Sequence, residues 1–155
     1  MMTLSDWLIE ASANGWIAEH RERYLRDGAA ARLFDTTFAG GPGAVPTLLL
    51  TTRGCRSGRP SVMPLIYGEA AGGVVIVASR GGSPNHPGWY FNLCAQERVT
   101  VQVGATVYQA RARVVAGAER ARLWQQMTAL YPPFQDYQAQ TSRSIPVIVL
   151  TPTSA

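Results

Sequence analysis

The chain predicts a mainly antiparallel α+β fold, a small barrel flanked by helices. Short apolar runs alternate with glycine-rich turns from Pro46 to Val115. No long β-α-β alternation occurs, so a parallel sheet is not expected. Closing many short antiparallel strands into a barrel removes edges that would otherwise stay exposed. The 155 residues are 46% hydrophobic and 15% charged, which suits a single domain over 1–155 with its own core.

Residues 3–27 read as helix in two pieces, ahead of a barrel core spanning 45–151. Thr3 and Asp6 resemble a capping pair before Trp7-Leu8-Ile9, and Asn14-Gly15 interrupts the pattern. Trp16, Ile17, Tyr24 and Leu25 then line one face, opposite Glu19, Arg21, Glu22 and Arg23. That face is expected to pack on the protein, with peripheral membrane contact or a lid as the alternative. Residues 28–45, rich in Gly and Ala, read as loop and short turns. Strands are expected over 47–53, 61–67 and 74–78, joined by turns at 54–58 and 68–73. A short helix over 87–95 begins with proline in its first turn. Residues 99–103 and 106–115 form a hairpin in which Thr100, Gln102, Gln109, Arg111 and Arg113 alternate with apolar residues, as one wet face requires. A helix over 118–131 carries Ala121, Leu123, Trp124, Met127, Leu130 and Tyr131 as its apolar stripe, and Pro132-Pro133 stops it. Residues 134–141 form a polar segment bearing aromatics, and 145–151 is the last strand.

Composition excludes several functions. All 14 Lys and Arg positions are arginine, which rules out Schiff-base chemistry and favours planar recognition of oxyanions. The net charge of +4 is spread along the chain with no basic helix face or finger motif, so nucleic acid is not an expected partner. A small acidic ligand fits the balance better. Cys55 and Cys94 lack metal-ligand spacing, and only His20 and His86 could join them, so no metal is expected. No secretory signal or spanning helix is apparent, and a cytoplasmic chain with free thiols is the expectation.

The chemistry concentrates in two loops at strand ends. One is Thr51-Thr52-Arg53-Gly54-Cys55-Arg56-Ser57-Gly58-Arg59-Pro60, and the other is Ser79-Arg80-Gly81-Gly82, followed by His86-Pro87-Gly88-Trp89-Tyr90-Phe91-Asn92-Leu93. Small-residue turns expose backbone N–H groups, and flanking guanidinium groups make them anion sites. Two such turns close in sequence suggest a pocket for a phosphate- or carboxylate-bearing small molecule.

With these residues in view, the chain resembles the deazaflavin-dependent nitroreductase family of split β-barrel, FMN-binding-like oxidoreductases, which use coenzyme F420. The resemblance covers 45–151 and rests on Leu49-Leu50-Thr51-Thr52-Arg53-Gly54, Ser57-Gly58-Arg59-Pro60, Met63-Pro64-Leu65, Ala78-Ser79-Arg80-Gly81-Gly82, Trp89-Tyr90-Phe91-Asn92-Leu93 and Tyr131-Pro132-Pro133 with Asp136-Tyr137-Gln138. It implies hydride transfer between F420 and an electron-poor small molecule such as an enone, a quinone or a nitro compound. By the same resemblance Arg56, Ser57, Gly58, Met63, Pro64, Ala78, Ser79, Arg80, Gly81 and Asn92 hold the cofactor, whose acidic tail needs a basic track. Trp89, Tyr131, Phe134 and Tyr137 match the substrate-contacting aromatics, with Tyr137 first and Ser79 second as hydrogen-bond donor in catalysis. The chain departs from the family pattern at Cys55, Ser61 and Cys94, where basic residues are usual; Arg53 and Arg59 flank the same turn and could take their place. These departures support an alternative: weakened cofactor binding, with FMN or no cofactor, in a small-molecule-binding protein or a cofactor-independent isomerase or cyclase. The oligomeric state stays open, a homodimer being one option. His86 reads as structural at a helix entry.

Overall fold

A computed structural model of the chain describes residues 16–153. The expected first helical piece and the Asn14-Gly15 break lie outside the described residues. Helix α1 (Trp16–Arg26) leads into the single turn α2 (Gly28–Ala31), the short strand β1 (Leu33–Asp35) and a 3-10 turn (Thr37–Ala39). Then come β2 (Ala44–Arg53), β3 (Pro60–Ala70), β4 (Gly73–Val77), a 3-10 turn (Arg80–Gly82) and α3 (Gly88–Ala95). The hairpin β5 (Arg98–Val103) and β6 (Thr106–Val114), helices α4 (Gly117–Leu130) and α5 (Pro133–Ala139), and β7 (Val147–Pro152) complete the chain.

The strands pair in the order β1-β2-β3-β4-β7-β6-β5, and β5 returns to β2, so six of the seven close a barrel. All these pairings are antiparallel, with Leu50 of β2 opposite Met63 on one side and Val101 on the other. Alternation sets what fills the barrel. Leu48, Leu50, Val74, Ile76, Val101, Ile148 and Leu150 belong to one core cluster with Trp89 and Leu93 of α3. Their neighbours Val75, Val77, Val147 and Val149 belong to a second cluster with Leu123 and Met127 of α4 and Phe134 and Tyr137 of α5. Helices thus cover the outside of β4 and β7, which is why those strands read as unbroken apolar runs. The hairpin has no such cover: Ala110 and Ala112 are buried while Gln109, Arg111 and Arg113 are exposed.

Four expectations need correction. Residues 28–45 are not a plain loop, because β1 extends the sheet, with Phe34 opposite Val45. The expected turn at 68–73 shrinks to two residues, since β3 runs to Ala70, and Gly72 takes a φ of +77°. Residues 134–141, read as a polar segment, fold largely as α5, whose Phe134 and Tyr137 are buried three residues apart on one face. Leu25 and Ala121 are exposed rather than facial, and Trp124 is only half-buried, with the Arg120 guanidinium 5.3 Å from its ring centre.

Tyr24 fixes α1 to the barrel. Its fully buried hydroxyl donates to Thr47 O at 2.9 Å and accepts from Gly104 N–H at 2.7 Å. The buried face of α1 is therefore set by His20 and Tyr24, with Trp16 one turn further back. No helix among the described residues is long and apolar enough to cross a membrane.

Candidate functional site

The barrel end between β3 and the 78–88 loop opens into a cavity of about 740 Å³. Met63 and Pro64 come from β3, Ser79, Arg80 and Gly81 from the loop, Trp89 and Asn92 from α3, and Tyr131, Phe134 and Tyr137 from the α4–α5 corner. The apolar character of this wall suits a flat aromatic ligand.

The aromatics at the α4–α5 corner are ordered by each other. Tyr131 and Phe134 meet edge to face with centroids 4.8 Å apart, and the Tyr131 and Tyr137 hydroxyls lie 2.9 Å apart. All three side chains are almost fully buried. Burial pushes the Tyr131 phenol above its ordinary value and pushes Tyr137 up further. Both stay protonated, and one hydroxyl hydrogen of the pair is not used within it.

The Ser79–Ser83 loop is bent by three successive residues of positive φ: Arg80 at 45°, Gly81 at 62° and Gly82 at 81°. For Arg80 this conformation costs about 1 kcal/mol, a strain that must be held from outside. Gly82 has no alternative residue: a Cβ there would come within 2.7 Å of Tyr137 O. The restraint comes from Arg143, in the segment before β7. Its guanidinium donates to Ser79 O at 2.7 Å, Ser83 O at 2.8 Å and Ala78 O at 3.2 Å, and it meets His86 Nδ1 at 2.8 Å. Arg143 can only donate, so His86 Nδ1 accepts and Nε2 carries the proton. Burial, then the nearby Arg143 charge, depresses the His86 pKa; burial and Arg80 lower that of Arg143. Gln138 holds Arg143 in place by donating to its carbonyl at 2.7 Å while accepting from Ile145 N–H at 2.9 Å. Nothing in composition or spacing distinguishes Arg143 from the other arginines.

The other predicted anion turn lines a separate cavity of about 380 Å³, formed by Arg53, Gly54, Cys55, Arg56, Ser57 and Gly58 with Ala95 and Gln96. Asn92 ties the lining of one cavity to the lining of the other. It lines the large one, donates from Nδ2 to Thr52 Oγ1 at 3.0 Å and accepts at Oδ1 from Cys55 N–H at 3.0 Å. Arg59 and Ala78 line neither cavity: Arg59 is exposed beside its turn, and Ala78 is fully buried. Ser61 lines the large cavity, and Cys55 and Cys94 are free, exposed thiols. Among the described residues the ion pairs are Arg111–Glu97 and Arg113–Glu119. Arg53, Arg56 and Arg80 thus have no carboxylate partner there. Unpaired cations beside two neighbouring cavities, one apolar and one polar, fit a cofactor with a flat ring and an acidic tail.

Sequence reasoning missed the α1 wall, where Trp16, Ile17 and His20 line the same cavity together with Phe34 and Phe38, Phe34 lying against the Trp16 ring at 5.3 Å and the His20 ring at 4.3 Å. The spacing Trp16, His20, Tyr24 was the available signal. His20 is 1% exposed, and burial, followed by the Arg23 charge, lowers its pKa from 6.5 to about 4. Between those values the unfolded chain binds a proton that the folded chain refuses. Stability should therefore be complete above about pH 6.5 and fall by on the order of 2 kcal/mol towards pH 4. Thermal unfolding across that range measures it, and His20→Gln should flatten the slope; an equal slope in the variant would place the effect elsewhere.

A sequence profile of the F420H2-dependent quinone reductase family matches residues 18–152. F420H2-dependent quinone reductase Rv1261c of Mycobacterium tuberculosis is 42% identical over 113 residues, which span 71% of this chain and 76% of that protein. The solved structure of an F420-H2 dependent reductase, FDR-A, is 42% identical with a TM-score of 0.63, covering 68% of this chain and 93% of its own. A second solved chain, described as a domain-swapped dimer, is 34% identical with a TM-score of 0.65 over 96% of this chain and 99% of its own. These similarities run through the barrel and the loops that build both cavities, and this chain belongs to the F420H2-dependent quinone reductase family, split-barrel oxidoreductases that use F420.

Proposed function

We propose that this protein reduces quinones, and related enones or nitro compounds, with hydride from reduced F420. The observation that carries the reading is the junction at Asn92 between an apolar cavity with buried phenols and a polar cavity edged by unpaired arginines. Arg53, Arg56 and the amides of the 54–58 turn would hold an acidic tail, with Arg80 over the mouth of the large cavity. Met63, Pro64, Ser79 and Gly81 would border the ring. When bound, F420 supplies a low-potential hydride. The chain supplies orientation, through Trp89 and Phe134, and exclusion of water by the apolar wall. It also supplies a hydroxyl from the Tyr131–Tyr137 pair, or from Ser79, to meet negative charge on the substrate oxygen. A homodimer is supported by the domain-swapped relative, and sedimentation reads it directly.

The test is a calorimetric titration with F420, FMN and NADPH. F420 should bind more tightly than FMN, and added salt should weaken it, because screening acts over about 10 Å at 0.1 M. Arg56→Ala with Arg80→Ala should raise the F420 dissociation constant at least about tenfold, each partly exposed ionic contact being worth roughly 1 kcal/mol. Salt-independent binding, or tighter binding of FMN, would refute the assignment of the tail to these arginines.

A further inference from the structure

Three rings meet on the α1 side of the large cavity, and all three line it: Trp16, Phe34 and Phe38. Phe34 stacks on Trp16, and Phe38 stands edge-on to both, 5.4 Å from Trp16 and 5.9 Å from Phe34 between centroids. Each ring braces the other two, so the wall is preformed. Trp16 and Phe34 keep part of their surface accessible, and Phe38 is 47% exposed. What they offer a ligand is carbon. Trp16 Nε1 is itself buried, as are His20 and the side chains of Thr36 and Thr47, so this wall presents ring surface and no side-chain hydrogen bond. Among the large apolar side chains left exposed, only Phe38 and Phe91 line this cavity. The turn that carries Phe38 also abuts the aromatic corner. Gly41 packs so closely on Tyr131 that a Cβ there would lie 2.7 Å from its ring. The three-ring wall is therefore a neighbour of the Tyr131–Tyr137 hydroxyl pair.

We propose that Trp16, Phe34 and Phe38 form a subsite for an apolar aryl substituent on the quinone, with Phe38 as its specificity-determining residue. This rests on reading the large cavity as the substrate site. An aryl group meets these rings at their faces and edges and takes the exposed part of Phe38 out of water. A methyl group covers little of that surface. A hydroxyl or carboxylate group would lose its hydration there with no partner to replace it.

The test compares 2-benzyl-3-methyl-1,4-naphthoquinone with 2,3-dimethyl-1,4-naphthoquinone, which differ by one phenyl ring. For each, kcat/KM with reduced F420 and the dissociation constant from calorimetry, with oxidised F420 bound, are measured. The parent protein should prefer the benzyl compound about tenfold in both readouts. Phe38→Ser should bring the ratio below about threefold, and Phe38→Leu, which keeps apolar bulk without a ring, should recover only part of it. Phe91→Ser is the control, because Phe91 comes from α3 and sets its ring against His86 and Tyr90 instead; it should leave the ratio as in the parent. A parent ratio near one would overturn the proposal, and so would an undiminished ratio in Phe38→Ser. A ratio lost only in Phe91→Ser would move the subsite to α3, and full recovery in Phe38→Leu would refute the choice of an aryl group. If both quinones bind in the expected ratio and neither is reduced, the reductase reading fails and the subsite stands. If both are reduced equally well, the reverse holds.

Discussion

Replacing Tyr131 and Tyr137 together by Phe should lower quinone turnover about 10²-fold, the usual cost of losing a transition-state donor, with F420 affinity nearly unchanged. As hydride arrives, negative charge gathers on the substrate oxygen, and a donor already in place in a water-poor wall needs no reorganisation to meet it. The two hydroxyls lie 2.9 Å apart and both phenols are buried and protonated. One hydrogen is committed within the pair and the other is free. Either tyrosine can carry the free one, so Tyr137→Phe or Tyr131→Phe alone leaves a donor behind and should cost less than the double change. Phe keeps the edge-to-face packing on Phe134, so the loss should not be one of folding. Single-turnover oxidation of reduced F420 isolates this step from product release. A double variant as fast as the parent would move the donor to Ser79 or to water.

Arg143→Met should cost about 3 kcal/mol of stability, since charged hydrogen bonds contribute about 1.5–3 kcal/mol each and several are lost together. For a domain of this size that is a fall of roughly 10 °C in Tm. The same change should weaken F420 binding more than tenfold. Arg143 ties Ala78, Ser79, Ser83 and His86 together from one planar group. Without it only the bonds from Gly82 N–H to Ser79 O and from Ser83 N–H to Arg80 O, with the packing of Gly82 on Tyr137, oppose relaxation of Arg80 out of its positive φ. Arg143→Lys offers a single point of contact and should recover only a small part. Thermal unfolding and calorimetry separate the two effects. Reduced stability with unchanged affinity would show that Gly82 against Tyr137 suffices to keep the loop shape.

The barrel was legible because strand alternation is a local signal. Ala110 and Ala112 between Gln109, Arg111 and Arg113 announce one wet face, and the unbroken run at 74–78 announces a strand buried on both. The 28–45 stretch was not legible as sheet. Leu33 to Asp35 becomes a strand only because β2 offers it an edge. Helix α5 was missed for a similar reason: Phe134 and Tyr137 become one apolar face once the outer surface of β4 and β7 lies beneath them.

The candidate site divides along the same line. The order of residues by itself determined the two arginine-bearing turns, the aromatic corner and membership of an F420-using barrel family, because each is carried by contiguous residues with a local meaning. Only the tertiary structure decided that the 54–58 turn and the 79–82 loop line two separate cavities, whose walls Asn92 ties together, and that Arg59 and Ala78 stand outside both. It alone brought Arg143 to Ser79, 64 positions away, and His20 to Thr47, 27 positions away. The physical reason is that a hydrogen bond depends on distance in space: pairing of β4 with β7 sets Arg143 beside Ser79, and packing of α1 on β2 sets His20 beside Thr47, contacts that no window of neighbouring residues contains.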